Sequence, residues 1–272
     1  MVAYALVFGL LGLIIGSFLN VLILRRGAKS ILGRSGCLSC GHELEALDLV
    51  PFFSWLALRG RCRYCGSRIS IQYPLVEAST AVLFALIGAA AFVIPLLVSL
   101  YLAIAALLIL IAAYDIRHTI IPDSWVYAFA VLALPSQLFV PHADALWIIL
   151  LSGPFAALPF VALWGVSSGR WMGLGDAKLA LGIGWLLGPV FAWVAITLAF
   201  VIGALVSVCI LLPLPYILRA LSQLGITSFP IRARGFTMKS EVAFGPFLIL
   251  GCIIIWISLL YGVDLAGILG AF

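Results

Sequence analysis

Charge is scarce in this sequence. Only 9% of its 272 residues are Asp, Glu, Lys or Arg, where a soluble domain carries about 25%. With 65% hydrophobic residues, that shortage excludes an ordinary water-soluble fold. Short segments of alternating polarity, the mark of a membrane β-barrel, are also missing. No internal repeat, low-complexity tail or G-x-G-x-x-G phosphate loop is present. No basic residue precedes the first apolar run, residues 2–24; Arg25 and Arg26 follow it instead. A cleaved secretory signal carries its positive charge first, so this run is expected to stay as a membrane helix. The expected class is an all-α polytopic membrane protein.

Long apolar runs are what the sequence does have. A hydrocarbon core of about 30 Å needs roughly 20 apolar residues as helix. By that ruler about eight transmembrane helices are expected, over residues 2–24, 74–92, 96–114, 123–140, 145–167, 175–188, 190–217 and 243–262. Pro95, Pro141 and Pro189 mark tight turns, and the sixth span is short and rich in glycine. With this count all 15 Lys and Arg residues fall on one side of the membrane. Lys and Arg collect on the cytoplasmic side, so that side is expected to be cytoplasmic and both termini to lie outside. The net charge of +5 then reflects topology and contact with anionic membrane lipid, not nucleic-acid binding.

Two cytoplasmic segments are too long to be turns, 25–73 and 218–242. The expected division is a first transmembrane helix at 1–24, an insert at 25–73 and a membrane core at 74–272. The insert carries Cys37 and Cys40 as one C-x-x-C pair and Cys62 and Cys65 as another, each followed by glycine (Gly41, Gly66). Two intervening residues let both sulfurs reach one ion from a tight turn, and glycine tolerates the positive φ that closes it. Four thiolates make a closed tetrahedral Zn²⁺ site. A reducing cytoplasm disfavours disulfides, and an insert of 49 residues has too little core to fold without such a staple. A small zinc-ribbon-like insert is therefore expected, with His42 as a surface or supporting residue. Cys209 and Cys252, each alone in a span, are given no role.

The acidic residues number ten. Setting aside Asp144, Asp264 and the three in the insert leaves Glu77, Asp115, Asp123, Asp176 and Glu241, all at cytoplasmic ends of spans. Asp115 closes the third span and Asp176 opens the sixth, so the topology places them at one membrane depth. Two facing carboxylates in a poorly hydrated pocket share one proton, which is the chemistry of aspartyl proteolysis and needs no metal. Gly173 and Gly175 would leave room for a peptide backbone, while Gly182 and Gly184 would permit close helix packing. The plainer alternative is that Asp176 caps a helix N-terminus and that Asp115 sits at the water boundary with Arg117.

The motifs occur in a telling order: "GSFLNVLILR" (Gly16 to Arg25), the two C-x-x-C pairs, "YDIRHTIIPD" (Tyr114 to Asp123), "GLGDAKL" (Gly173 to Leu179) and "FGPFL" (Phe244 to Leu248). The set resembles the type IV prepilin peptidases, or prepilin leader peptidase/N-methyltransferases, which are GxGD-type intramembrane aspartyl proteases. Ala243 replaces the proline usual in that family before "FGPF". The resemblance implies a bifunctional enzyme of the bacterial inner membrane. It would cleave the leader of type IV prepilins or pseudopilins at the cytoplasmic face and N-methylate the new terminus with S-adenosylmethionine. Asp115 and Asp176 would be the catalytic pair, and Cys37, Cys40, Cys62 and Cys65 the zinc ligands.

Asp123 is expected to cap the fourth span or support the pair, and Lys178 to reach toward water. Glu77 and Glu241 are expected to pair with basic residues or shape a pocket, and Gly16, Ser17 and Asn20 to pack helices through a hydrogen bond. For the methyl donor the sequence offers only Asn20 and Glu77, polar groups that this topology brings together where the insert meets the first span. Three rivals fit less well. A presenilin-type or signal-peptide-peptidase-like protease lacks the insert and "GSFLN". A proton-coupled transporter would carry its ionisable groups at the bilayer midplane. A zinc adaptor leaves the aspartates unexplained.

Overall fold

The computed structural model describes residues 2–26, 33–90, 94–137, 145–213 and 243–264. Among these the chain is helical, with two isolated β-bridges and no strand. The helices are α1 (Val2–Arg25), α2 (Phe53–Ala57), α3 (Gln72–Ala90), α4 (Pro95–His118), α5 (Asp123–Ser136), α6 (Leu146–Ser167), α7 (Leu174–Val206) and α8 (Gly245–Leu260). A short π-helical segment, Ser207–Leu211, continues α7.

Small residues set how these helices meet. On α1 the spacing Gly12-x-x-x-Gly16 brings the backbone of α3 into contact. A β-carbon at Gly12 would stand 2.6 Å from Ala81 Cα, and one at Gly16 2.7 Å from Glu77 Cα. This is the close approach that small residues allow between membrane helices. One turn further, Asn20 Nδ2 donates to the Tyr73 carbonyl at 3.1 Å, the interhelical hydrogen bond expected there. Gly182 lies against Phe129 of α5, and Gly184 against the backbone of Ser152 and Gly153 of α6. Ser152 Oγ donates to Gly184 O at 2.9 Å. Arg26 closes α1 onto the bundle, its guanidinium 4.2 Å from the Trp125 ring and 5.4 Å from that of Tyr114.

The helical run α7 reverses direction at Gly188. That residue takes φ 78° and ψ 174°, left-handed territory that glycine enters at little cost, and Pro189 follows. The contacts with α6 establish the reversal. Before the turn α7 runs antiparallel to α6, with Gly184 on Ser152 and Trp185 Nε1 donating to Leu150 O. After it, Trp193 meets Phe155 and Phe200 meets Phe160, so the second arm advances along α6 in the same direction. The expected turn at "LLGPV" is thus present without any loop.

Five helical runs, α1, α3, α4, α6 and Leu174–Cys209, have the length and apolar character of membrane spans. The expectation of eight is met as helical passes only with the last run split at Gly188 and with α5 and α8 counted. Those two have 14 and 16 residues, shorter than the ruler used on the sequence. Every described Lys and Arg lies at the end of the bundle that carries the insert, or in the insert itself. The expected basic loop at 218–242, Glu241, Asp144 and Pro141 lie outside the described residues.

The main core runs through α3 to α8 and includes Phe84, Ile104, Phe129, Phe160, Ile183 and Leu248. A smaller cluster of Leu19, Ile23, Val76, Leu110 and Ala113 joins α1, α3 and α4 beneath the insert.

Candidate active site and metal centre

Asp115 occupies the last turn of α4 and is 4% exposed. The helix ends one turn later at Thr119, whose left-handed φ of 53° sends the chain back across the bundle end toward Ile121. The Gly245 N–H, at the start of α8, donates to the Asp115 carboxylate. The approach is close: a β-carbon at Gly245 would stand 2.5 Å from Asp115 Oδ2 and 3.0 Å from Ile121 Cδ1. Ile121 also covers Gly175, where a β-carbon would stand 2.9 Å from its own. Residues 115, 121, 175 and 245 thereby bring α4, α7 and α8 to one point. There Asp176 faces Asp115 within electrostatic reach.

The plainer reading of these aspartates fails. The N-cap of α7 is Gly173, with no side-chain capping bond, so Asp176 does not cap its helix. Its Oδ1 is buried and has no hydrogen-bond partner among the described residues. Burying an acceptor unsatisfied costs about 1–3 kcal/mol, more for a charged group, and such a cost is borne where a ligand supplies the missing donor. Arg117 does not neutralise Asp115 either; its Nη1 reaches Gln72 Oε1 at 3.4 Å.

Three expectations nearby are corrected. Gly175 makes room for Ile121 rather than for a peptide, while the space at Gly173 is open. Asp123 makes no capping bond but pairs with Lys178 at 2.7 Å, tying α5 to α7. Lys178 therefore has a partner in the protein and does not simply reach for water.

Gly245 was visible in the sequence only as part of a motif, and its role comes from the space it leaves. Gly245→Ala should push the Asp115 carboxylate aside and lower cleavage of a leader peptide by about 10²-fold, the scale of a roughly 1 Å misplacement of a reacting group. A cleavage rate within twofold of the parent would rule out this positioning.

The four cysteines of the insert meet as expected. Their sulfurs all lie within 4.8 Å of one another. Cys37 Sγ and Cys65 Sγ are 3.9 Å apart, close to the ~3.8 Å edge of a tetrahedron with Zn–S bonds of about 2.3 Å. Each pair sits on a matching knuckle. Cys37 N donates to His42 O and Gly41 N to Cys37 O; Cys62 N donates to Ser67 O and Gly66 N to Cys62 O. Gly41 and Gly66 have φ of 73° and 70°, the positive values foreseen for closing such turns. The backbone N–H groups of Cys40 and Ser39, with the Ser67 hydroxyl, pull the Cys37 thiol down to about 6. Ser67 likewise lowers the Cys65 thiol. Four cysteine sulfurs gathered this closely fit a structural zinc ion. His42 stays outside the set, stacked on Tyr64 at 3.6 Å.

Between the insert, α1 and α3 lies a cleft of about 1180 Å³. Ser17, Asn20, Trp55, Tyr73, Glu77 and Arg117 are among the residues lining it. Glu77 is 6% exposed and pairs with no basic residue among the described ones; of its two expected roles it takes the second, lining a pocket. Its Oε2 accepts the Phe52 N–H at 2.6 Å, and the Ser17 hydroxyl donates to the same carboxylate. Phe52 has a left-handed φ of 62°, which starts α2 directly over α3. Asn20 is 2% exposed, and its Oδ1 has no partner.

Fold and site together define a multi-pass helical membrane protein with a buried carboxylate pair at one end and, in the insert at that end, a four-cysteine cluster that could hold a metal ion. The chain belongs to the type IV leader peptidase family. Residues 10–91 match the bacterial peptidase A24 N-terminal domain, and residues 101–208 match the type IV leader peptidase family itself. Its similar relatives include prepilin leader peptidase/N-methyltransferases of three bacteria. That of Pseudomonas putida is 31% identical, over 93% of this chain and 88% of the relative. That of Myxococcus xanthus is 35% identical, over 77% and 64%. That of Bacillus subtilis is 34% identical, over 71% and 78%. No solved structure gives a significant match.

Proposed function

We propose that this protein cleaves the leader peptides of type IV prepilins or pseudopilins and methylates the N-terminus it creates. The observation that carries the proteolytic reading is the buried, unpartnered oxygen of Asp176 facing Asp115. The pair shares one proton. One carboxylate takes a proton from a water, which attacks the scissile carbonyl, while the other carboxyl donates to the carbonyl oxygen. The amide nitrogen then leaves with a proton from the pair. Titration belongs to both residues jointly.

The basic end of the bundle is assigned to the cytoplasm by the positive-inside rule. That puts the aspartates at the cytoplasmic face of the inner membrane and the outer ends of α1 and α8 in the periplasm. The four cysteines would hold Zn²⁺, which supplies folding energy to the insert and takes no part in cleavage. The cleft beside them exceeds the size of most small-molecule pockets, about 300–1,000 Å³. It combines two aromatic rings, Trp55 and Tyr73, with several arginines, a lining that suits S-adenosylmethionine with its adenine and its carboxylate.

The deciding experiment incubates the purified enzyme with a prepilin, with and without S-adenosylmethionine, and reads the product mass. Loss of the leader is expected in both arms, and the mass of one added methylene only with the cofactor. An uncut prepilin in the presence of folded enzyme would overturn the proteolytic reading.

A further inference from the structure

Two acceptor groups of the cleft remain after its structural bonds are assigned. Asn20 spends its amide nitrogen on the Tyr73 carbonyl, and its oxygen, buried in the cleft wall, has no donor among the described residues. Glu77 stands one helical turn away on the facing helix. Its neighbours, the Phe52 N–H and the Ser17 hydroxyl, are neutral, and no cation offsets its charge among the described residues. A carboxylate buried without a cation is costly, and an orphaned amide oxygen adds to that cost. Both groups ask for the same thing, a positively charged N–H donor.

The bland account of Glu77 is that it only anchors the insert by binding Phe52 N. That bond uses one oxygen and needs no charge, since a glutamine oxygen would accept it equally well. It also leaves Asn20 Oδ1 unexplained. Five arginines line the cleft, Arg25, Arg34, Arg63, Arg68 and Arg117, but none forms an ion pair with Glu77: Arg117 reaches Gln72, Arg63 pairs with Asp48, Arg34 with Glu43, and Arg25 reaches the Gly33 and Arg34 carbonyls.

We propose that Asn20 and Glu77 form a subsite for a peptide α-ammonium group, the acceptor of the methyl transfer, and not a contact to the methyl donor. This rests on the reading of the cleft as the methylation site. Asn20 Oδ1 and Glu77 accept the ammonium N–H groups. Glu77 takes one proton, leaving a lone pair on nitrogen. The amine nitrogen then bonds the methyl carbon that S-adenosylmethionine supplies, the carbon–sulfur bond breaking with its electron pair left on sulfur. A second proton lost to water gives the neutral secondary amine. Before cleavage a prepilin has no ammonium at this position, only an amide, so the subsite admits the product of proteolysis and rejects its precursor. The path between the two sites is short in the chain: Arg117, on the cleft wall, is two residues beyond Asp115.

The test measures binding to the full-length protein in detergent or nanodiscs, without cofactor. The probes are a short apolar peptide with a free N-terminal Phe and its N-acetylated twin. Cofactor affinity is measured separately on the same samples. The wild type should prefer the free amine by about tenfold or more, the scale of a lost charge-assisted hydrogen bond. Glu77→Gln should abolish that preference while S-adenosylmethionine affinity and acetyl-peptide affinity stay the same. Equal binding of the two peptides by the wild type overturns the subsite without any variant. So does a preference that survives Glu77→Gln, or a variant that loses cofactor affinity and keeps the preference. A wild type that prefers the amine but binds no cofactor would instead overturn the cleft as a methylation site and leave the ammonium subsite standing.

Discussion

Asp115→Asn and Asp176→Asn should each lower prepilin cleavage by on the order of 10³-fold or more, the contribution of an acid or base that touches the reacting atoms. Each replacement keeps the shape of the side chain and removes the proton chemistry. The fold should survive both. At position 115 the asparagine oxygen can still accept the Gly245 N–H. At position 176 there is no bond to lose, because Oδ1 has no partner. Removing a charge from that pocket relieves a cost, so the thermal midpoint of Asp176→Asn should equal or exceed that of the parent. Cleavage rate and thermal unfolding measured on the same preparations separate this from a merely structural role. A structural aspartate would lower both together, and cleavage retained in either variant would end the assignment of the pair.

Zinc should be present at one ion per chain, and Cys62→Ser should strip it and unfold the insert. The size of the effect follows from what the insert lacks. Of its described residues 33–71 only Gly60 and Cys62 are buried, so there is no apolar core to hold the knuckles once the metal goes. Structural zinc contributes roughly 10–16 kcal/mol in small modules, far more than the surface contacts of this one. Of its ion pairs among the described residues, Arg34–Glu43 is exposed at both ends and worth little, and Arg63–Asp48 is one half-buried contact that cannot replace the metal. Limited proteolysis should therefore cut the insert in the variant and spare it in the parent. Methylation should fall with it, because the insert roofs the cleft. A chelator should leave the rate of cleavage by the aspartates intact. Elemental analysis giving no zinc, or iron instead, would overturn the metal assignment.

The sequence carried the knuckles and the placement of the aspartates, and the reason is local. C-x-x-C-G encodes its own turn, so Gly41 and Gly66 could be assigned positive φ before any coordinates. Hydropathy and the one-sided Lys and Arg placed Asp115 and Asp176 at one end of the bundle. The reversal at Gly188 was legible because Gly-Pro interrupts an apolar run. Partners across helices were not legible. Lys178 and Asp123 lie 55 residues apart and Phe52 and Glu77 25 apart, and nothing in composition or periodicity pairs them. Ile121 was hidden most completely. An isoleucine in a chain this apolar carries no signal, yet it covers Gly175 and touches Gly245 on either side of the aspartates.

Three of the helical passes are short, and their lengths bear on the lipid around them. Helix α5 has 14 residues and α8 has 16, and the first arm of α7 runs only from 174 to 187 before the turn at Gly188. At 1.5 Å per residue these rise about 21–24 Å, well short of a hydrocarbon thickness of about 30 Å. Short apolar segments pull the bilayer thin around them, at a fraction of a kcal/mol per Å of mismatch. Lipid around these three segments is expected to thin to match them. A substrate helix docked against such thinned lipid would have its end nearer to water without unfolding any of its own turns.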